Sequence, residues 1–391
     1  MRILMIAPQP FFTPRGTPFS ILGRLRALSA LGHEVELFTY PIGDDIVLPG
    51  LTVRRSWKPP GLSSVPVGPS KIKLLLDLIL FGRAWGAALE GRYQLVHTHE
   101  EAAGLGALLR RFHGLRHLYD MHSSLPQQLS NFEYTRSRLL RRWARIWERW
   151  VIRESDAVIA ICPALVEQVR RTAPEARPIL IENRPVEELL PARPGASADA
   201  LRRELELPPG KRVVVYTGTI EAYQGIDLML EAIGRLAGQR DDFVAVIVGG
   251  TPAQVEDGRR RAAALGANRH IHWTGSRPPE SMGAFLALGD ILVSPRSRGT
   301  NTPLKLYSYM QAERAILATR ILSHTQVLDD HCALLTEPQA EALAVGLARL
   351  LDDEPLRVAL AGAVKRQFDQ RYSYRGYLEA TERALALATG S

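Results

Sequence analysis

Short apolar runs alternate with longer amphipathic runs along most of the chain, and this alternation constrains the fold more than any other feature. The apolar run RILMIAP from Arg2, for example, is followed by the helical stretch PFSILGRLRALSALG from Pro18. Strands that alternate with amphipathic helices are typical of parallel sheets, because a parallel connection must cross over the sheet. In the first half, the runs predicted as strands begin at Arg2, His33, Gln94, Arg116, Asp156 and Pro178.

The alternation lapses after residue 190 and then restarts. The lapse, PARPGASADALRRELELPPGKR, is typical of a linker with a short helix, and new apolar runs begin at Arg212, Phe243, His270, Asp290 and Ala315. A chain of 391 residues also exceeds the size at which one core keeps growing. We therefore predict two Rossmann-like, doubly wound α/β domains facing a central cleft, 1–190 and 191–372. Residues 373–391 are predicted as a helix that packs back on the first domain.

Composition narrows the classes of protein. The chain is 46% hydrophobic and 23% charged, which is typical of folded proteins. Its two cysteines give neither a disulfide framework nor metal-ligand spacing, and no apolar run reaches membrane-spanning length, so we expect a cytoplasmic protein. The net charge of +8 favours anionic partners, which include nucleotides, nucleic acids and lipid surfaces.

The stretch GTNTPLKLYSYM, residues 299–310, has the pattern of a helix start. Pro303 fits the first helical position, and Thr302 before it fits a cap. Lys305 would then lie in the first turn, where the helix dipole disfavours a cation. A lysine in that place indicates that an anion binds there.

Two strand-to-helix turns carry a glycine in corresponding places, Gly16 in the first half and Gly225 in the second. Glycine at such a turn lets a ligand approach the backbone amides closely. Neither turn matches the dinucleotide-binding or Walker pattern, so each alone is weak evidence. Together with the Lys305 helix start, they indicate a ligand at the sheet edge.

In order and spacing, these segments resemble the family 4 retaining glycosyltransferases of the GT-B fold. The resemblance rests on LVHTHE, YDMHSS, ESDAVIAICPAL, YTGTIEAYQGIDLMLEAI, LGDILVSP and TPLKLYSYMQAERAILAT. It implies transfer of a sugar, with retention, from a nucleotide diphosphate donor to a hydroxyl of a glycan, lipid-linked or small-molecule acceptor. It also implies no cofactor and no catalytic metal, and a role in polysaccharide or glycolipid synthesis.

The chain departs from the family at the donor residues. The family's two cations correspond here to Thr219 after Gly218 and to Gln224 before Gly225, and its two glutamates to Thr300 and Ser308. In one interpretation Lys305 and the amides of the helix start replace the lost positive charge. In the other, the chain is a non-catalytic binding subunit.

The resemblance also implies roles for individual residues. The predicted catalytic residues are His122, Asn301 and Lys305. The predicted donor-binding residues are Gly16, Gly218, Thr219, Gln224, Gly225, Arg277, Arg298, Thr300, Thr302, Leu304 and Ser308. The predicted acceptor-side residues are His99, Glu100 and Asp120, with Glu101 as a further candidate.

His97 and His99 are both in VHTH and so face one side of a strand. No carboxylate or cysteine cluster accompanies them in the sequence, so we expect no metal site, and we expect His97 in the core.

The stretch from Thr135 to Asp156 combines seven arginines with apolar residues at helical spacing. The apolar stripe is Leu139, Trp143, Ile146, Trp147 and Trp150. In one interpretation this stripe packs on the sheet. In the other, the helix lies on the anionic inner face of the cell membrane. Nucleic acid is not expected as a partner, because aromatic residues do not interleave with the basic ones.

Two further enzyme classes fit parts of the pattern. A GT-B sugar-nucleotide epimerase would share the fold, but no carboxylate set suits its proton abstraction. A nicotinamide-dependent dehydrogenase would share the alternation, but the chain lacks GxGxxG followed by an acidic ribose-binding residue.

Overall fold

The computed structural model describes residues 1–14, 16–65, 70–126 and 137–390. The chain forms two compact units, one from Met1 to Asn183 together with the residues from Tyr374 onward, and one from Arg184 to Ser373. The prediction of two doubly wound α/β domains is confirmed.

The unit boundary lies at Asn183, before the residue 190 predicted from sequence. The reason is a short helix, Val186–Leu189, that packs within the second unit. Its first backbone N–H, from Val186, donates to Ser308 Oγ at 3.3 Å. The linker pattern therefore begins after the chain has already entered the second unit.

Each unit contains one parallel sheet. The order is β3-β2-β1-β4-β5-β6-β7 in the first and β10-β9-β8-β11-β12-β13 in the second. The strands are β1 Arg2–Ala7, β2 Glu34–Thr39, β3 Leu51–Arg55, β4 Leu95–His99, β5 Arg116–Met121, β6 Ala157–Ala160, β7 Pro178–Leu180, β8 Arg212–Thr217, β9 Phe243–Val248, β10 Ile271–Gly275, β11 Ile291–Ser294, β12 Ala315–Thr319 and β13 Leu334–Thr336. In both sheets the order reverses beside the first strand, which creates a switch point between β1 and β4 and another between β8 and β11.

Sequence analysis missed β3 and β13. β3 is an edge strand without a continuous apolar run, and its side chains alternate between half-buried and exposed. β13 has only three residues. The inner strands were recognisable because helices cover both faces of a parallel sheet, which makes such strands almost wholly apolar.

Helices connect the strands and cover the sheets. They are α1 Gly16–Ala30, α2 Lys71–Leu89, α3 Ala103–His113, α4 Arg138–Arg153, α5 Pro163–Thr172, α6 Val186–Leu189, α7 Ala198–Glu204, α8 Ile226–Ala237, α9 Pro252–Ala264, α10 Met282–Leu288, α11 Leu304–Gln311, α12 Leu322–Thr325, α13 Ala340–Asp352, α14 Glu354–Arg371 and α15 Tyr374–Thr389. α15 belongs to the first unit, where it packs on α1, β5 and β6. Among the described helices, none combines the length and the apolar character needed to cross a bilayer.

Candidate functional site

The switch point of the second sheet lies where β8 and β11 end. Gly218 follows β8 directly, and α11 begins after a loop of nine residues that follows β11. Because the connections on either side of a switch point run in opposite directions, they leave a crevice for a ligand. The predicted donor residues of the second half concentrate around this crevice.

The amine of Lys305 lies over the aromatic face of Tyr216, with Nζ 3.9 Å from the ring centroid. A side chain on Gly218 would place its Cβ 3.4 Å from the same Nζ, so the amine lies beside the end of β8. Nζ is buried and has no hydrogen-bond partner, although part of the lysine side chain stays exposed. Burial, together with the nearby charge of Arg296, holds the pKa of Lys305 well below its usual value.

The start of α11 differs from the predicted cap. Pro303, with φ −62° and ψ 132°, is the cap residue and not the first helical residue, and no side chain caps the helix. Thr302 therefore has no capping role, and its Oγ1 is buried without a hydrogen-bond partner. Gln224 Oε1 is likewise buried and unpartnered. Buried polar atoms without partners are rare in native proteins, so these atoms make this sheet edge a candidate binding site.

Arg296 organises the loop before α11, and sequence analysis missed it. Its Nε donates to Arg298 O at 3.0 Å and its Nη1 to Asn301 O at 2.9 Å. The guanidinium also lies over the Tyr223 ring, 5.1 Å from the centroid. Its position in the sequence could have identified it, because Arg296 comes two residues after β11, at the switch point of the sheet.

Gly225 joins this loop to the turn before α8. Its φ is 74°, in the left-handed region that favours glycine. A Cβ there would lie 1.9 Å from the carbonyl oxygen of Pro295. Gly16 differs, because a Cβ on it would meet nothing within 4 Å.

Three predicted donor residues have other partners. Ser308 Oγ accepts from the Val186 N–H, and Arg277 forms an ion pair with Glu204 at 2.9 Å. Thr300 accepts through its backbone carbonyl from Gln326 Nε2 at 2.7 Å. Leu304 is simply the first residue of α11.

A hollow of about 850 Å³ opens beside the ends of β8, β9 and β10. Its volume lies within the range of small-molecule sites. Thr219 is the one predicted residue in its lining. The lining also includes Gly250, Thr251, Trp273, Thr274 and Ser276. These residues lie at or just beyond the carboxyl ends of β9 and β10, so the missed signal was again their position.

The switch point of the first sheet carries a cluster of imidazoles. His97 and His99 project from β4, and their rings stack with centroids 4.8 Å apart. His122 follows β5, and its Nε2 lies 2.9 Å from His99 Nδ1. The carboxylate of Asp120, at the end of β5, lies 3.6 to 3.9 Å from nitrogens of all three rings. The premise that no carboxylate accompanies His97 and His99 is therefore wrong, because parallel pairing brings Asp120 beside them.

Arg24 of α1 is buried behind this cluster. Its Nε donates to Asp120 Oδ2 at 2.8 Å, and its other nitrogens donate to Tyr377 OH and to Ile181 O. Burial alone would raise the pKa of Asp120, but the charge of Arg24 outweighs it and holds this pKa well below its usual value. The carboxylate is thus an anion held by a buried arginine.

The imidazoles of His99 and His122 are neutral at physiological pH. Burial lowers the pKa of His122 to about 4 and that of His99 well below 6.5. His122 is 5% exposed, and His99 and Asp120 are fully buried, so their side chains do not line an open surface in this conformation.

Glu100 and Glu101, which follow β4, have partners outside the imidazole cluster. Glu100 accepts from the Thr17 hydroxyl at 3.2 Å, and Glu101 forms an ion pair with Lys73 at 2.8 Å.

Helix α4 turns an apolar surface outward. Leu139, Trp143 and Ile146 are 79%, 55% and 60% exposed. The face that packs on the first unit is instead Ala144, Val151 and Ile152, so the predicted stripe divides between the two sides. The preceding residues Thr135 and Arg136, which the prediction included, lie outside the described part of the chain.

Comparison with known proteins assigns both units to the same class. The family described as "Glycosyl transferase 4-like domain" matches residues 16–183, and "Glycosyl transferases group 1" matches residues 197–367. A D-inositol 3-phosphate glycosyltransferase of Corynebacterium urealyticum is 25% identical over 366 residues, covering 89% of this chain and 84% of that protein.

Two solved structures share the fold over almost the full length of both chains. Sucrose-phosphate synthase from Thermosynechococcus elongatus has a TM-score of 0.79 and 20% identity, with 100% of each chain covered. HepE from Anabaena, in complex with UDP and glucose, has a TM-score of 0.74 and 16% identity, with 99% of each chain covered.

Proposed function

We propose that this chain, which belongs to the family 4 glycosyltransferases of the GT-B fold, transfers a sugar from a nucleoside diphosphate donor to a hydroxyl acceptor with retention of the anomeric configuration. Membership of the family makes the chain a glycosyltransferase. The donor type, the stereochemistry and the acceptor are the proposal.

The observation that carries the proposal is the buried, unpartnered amine of Lys305 at the switch point. Departure of a nucleoside diphosphate builds negative charge on its phosphates, and a pre-positioned cation stabilises that charge with little reorganisation. Thr302 Oγ1 supplies a second donor without a partner. Lys305 and the start of α11 thereby take the place of the family's two cations, and no metal is needed at the diphosphate.

The hollow beside Trp273 is the proposed seat of the nucleoside. It adjoins Thr219, which follows Gly218 and therefore lies next to the phosphate position. Its aromatic and small polar lining suits a base and a ribose. HepE, whose fold this chain shares, was solved with UDP and glucose, which supports a nucleoside diphosphate sugar as donor.

The acceptor is proposed to bind on the first unit, near the ends of β1, β4 and β5. We assign His122 to the reaction through its neutral imidazole, which can accept or donate a hydrogen bond to a sugar hydroxyl but carries no charge. His99 and Asp120, being buried, would act by orienting His122.

The chain is further proposed to work in the cytoplasm, peripheral to the inner face of the membrane, through α4. Exposed tryptophan and leucine beside exposed arginines are the composition of a helix that lies in an anionic interface. The acceptor would then be lipid-linked, in a pathway of polysaccharide or glycolipid synthesis.

The test begins with calorimetric titration of UDP, GDP, ADP and NAD. The matching nucleoside diphosphate sugars are then assayed with acceptor panels, and the product anomer is read by NMR. We expect one nucleoside diphosphate to bind and the donor anomer to be retained. An inverted product would contradict retention, and binding without turnover across the panels would support the non-catalytic interpretation.

A further inference from the structure

Within the described residues, His97, His99 and Asp120 are the group of three or more metal-ligating side chains whose ligand atoms converge, all within 4.8 Å of one another. His122 Nε2 joins them, 2.9 Å from His99 Nδ1 and 3.6 Å from Asp120 Oδ1. We propose that His97, His99, His122 and Asp120 form a buried binding site for one divalent transition metal ion, with Zn²⁺ as the best match. This site lies in the first unit, apart from the proposed donor site, and it shares His99, Asp120 and His122 with the proposed acceptor side. The observations that support it do not depend on the proposed function.

The first support is the set of atoms that the protein leaves without partners. Both ring nitrogens of His97, Nε2 of His99 and Oδ1 of Asp120 are buried and accept or donate no hydrogen bond. A neutral imidazole always carries one acceptor nitrogen, and a buried polar atom without a partner destabilises the folded state. A cation among these atoms would use the lone pairs that now face one another.

The second support is the spacing. Two ligands at about 2.0–2.1 Å from a tetrahedral Zn²⁺ lie roughly 3.4 Å apart. The observed separations are 2.9 Å between His99 and His122, and 3.6, 3.7 and 3.9 Å between the carboxylate and the three imidazoles. The ligand atoms of His97, His99 and Asp120 all lie within 4.8 Å of one another, so the side chains would draw closer around a bound ion.

The surroundings fit a closed site. Arg24 donates to Oδ2 of Asp120 and so fixes the orientation of the carboxylate, which faces His97 and His99 through Oδ2 and His122 through Oδ1. Three imidazoles with one carboxylate favour Zn²⁺ and similar ions over Mg²⁺ and Ca²⁺, which prefer oxygen ligands. The burial of the cluster leaves no open coordination position, so the ion would pin the ends of β4 and β5 and fix the orientation of His122.

The experiment uses full-length, tag-free protein, because a polyhistidine tag binds the same ions. The protein is treated with a chelator, and Co²⁺ is titrated while the visible ligand-field absorption is followed. Zn²⁺ affinity is then obtained by competition. We expect one ion per chain and a four-coordinate Co²⁺ spectrum, and metal analysis of the untreated protein checks the natural occupant.

The matched variants are His97→Gln and His117→Gln. Both histidines are buried in the same sheet, but His117 already bonds Thr98 Oγ1 and Ser155 Oγ. We expect His97→Gln to lose about 100-fold or more in Zn²⁺ affinity, because even the loss of a residue that only hydrogen-bonds to a metal ligand costs 10–100-fold. We expect His117→Gln to bind Zn²⁺ like the parent. Equal affinity of His97→Gln and the parent, or absence of stoichiometric binding, overturns the proposal.

If His97→Gln does not fold, X-ray absorption of the Zn²⁺-loaded parent decides. Imidazole scattering from several ligands supports the site. A shell of oxygen ligands alone overturns it.

Discussion

Replacing Lys305 by methionine should abolish most of the affinity for a nucleoside diphosphate while leaving the affinity for the nucleoside unchanged. Methionine keeps most of the apolar length of the side chain and removes the amine together with its contact to the Tyr216 ring. Nζ has no hydrogen-bond partner in the free protein, so no internal bond is lost with it. The effect should therefore appear only when phosphates are bound.

The magnitude follows from the bond that is lost. A charge-assisted hydrogen bond from a buried amine to a phosphate oxygen contributes about 1.5–3 kcal/mol, which corresponds to roughly 10- to 150-fold in dissociation constant. Stability should move the other way. An unsatisfied buried polar group costs about 1–3 kcal/mol, so Lys305→Met should melt at the same temperature as the parent or higher.

The pH dependence gives a second readout of the same residue. Burial holds the pKa of Lys305 below its usual value in the free protein, and a bound dianion would raise this pKa. Binding is then coupled to proton uptake, so diphosphate affinity should fall as pH rises from the free pKa to the bound pKa. Calorimetry in buffers of different ionisation enthalpy measures this uptake, and Lys305→Met should lack it.

Three results would refute this account. They are unchanged diphosphate affinity in Lys305→Met, equal losses for monophosphate and diphosphate, and a lower melting temperature that shows a structural role. A rescue provides the positive control. Thr219→Arg with Gln224→Lys, added to Lys305→Met, restores the family's two cations and should recover part of the diphosphate affinity.

Trp143→Glu should weaken co-sedimentation with vesicles of anionic lipid, whereas Trp57→Glu should not, although Trp57 is 58% exposed and Trp143 is 55% exposed. Equal binding of both variants would contradict docking through α4. Burial lowers the pKa of His324 to about 3, below the 6.5 of the unfolded state. The free energy of unfolding should therefore keep its full value above about pH 6.5 and fall as the pH drops toward 3, by at most about 5 kcal/mol. His324→Gln should flatten this fall in denaturant titrations at pH 7 and pH 4.5, and an identical loss in parent and variant would exclude His324 as its source. Gly225→Ala should lower the free energy of unfolding by more than the roughly 1–2 kcal/mol of left-handed backbone strain, because its Cβ would meet a carbonyl oxygen at 1.9 Å. Gly210→Ala, at φ 78° with open space around the Cβ, should lower it by the strain alone. Equal unfolding free energies for the two alanine variants would show that the loop moves aside freely.

The sequence alone determined the fold class. Inner strands such as β8 and β9 are covered on both faces, so their composition is apolar whatever they contact, and the run is visible in the sequence. The sequence also placed Gly218 directly after β8 and Lys305 in the first turn of α11. The edge strand β3, half-exposed and short, left no such run.

Tertiary structure decided which side chains meet. Asp120 lies beside His97 and His99 because β5 pairs with β4 in parallel and in register, with His99 opposite Asp120. The sequence separates these residues by some twenty positions, so the cluster was invisible as a motif. Arg24 joins from α1 because a buried guanidinium needs acceptors, and those come from β5, α15 and the segment after β7.

The same distinction explains the donor site. Local pattern placed Lys305 in the first turn of a helix, because helix signals are read within a few residues. Whether its amine is solvated or buried over Tyr216 depends on how β8 and α11 pack, which no local pattern specifies. Element type is set by composition and periodicity along the chain, whereas burial and partner choice are set by contacts between segments distant in sequence. For that reason the sequence determined where the sites lie, and the tertiary structure determined their chemistry.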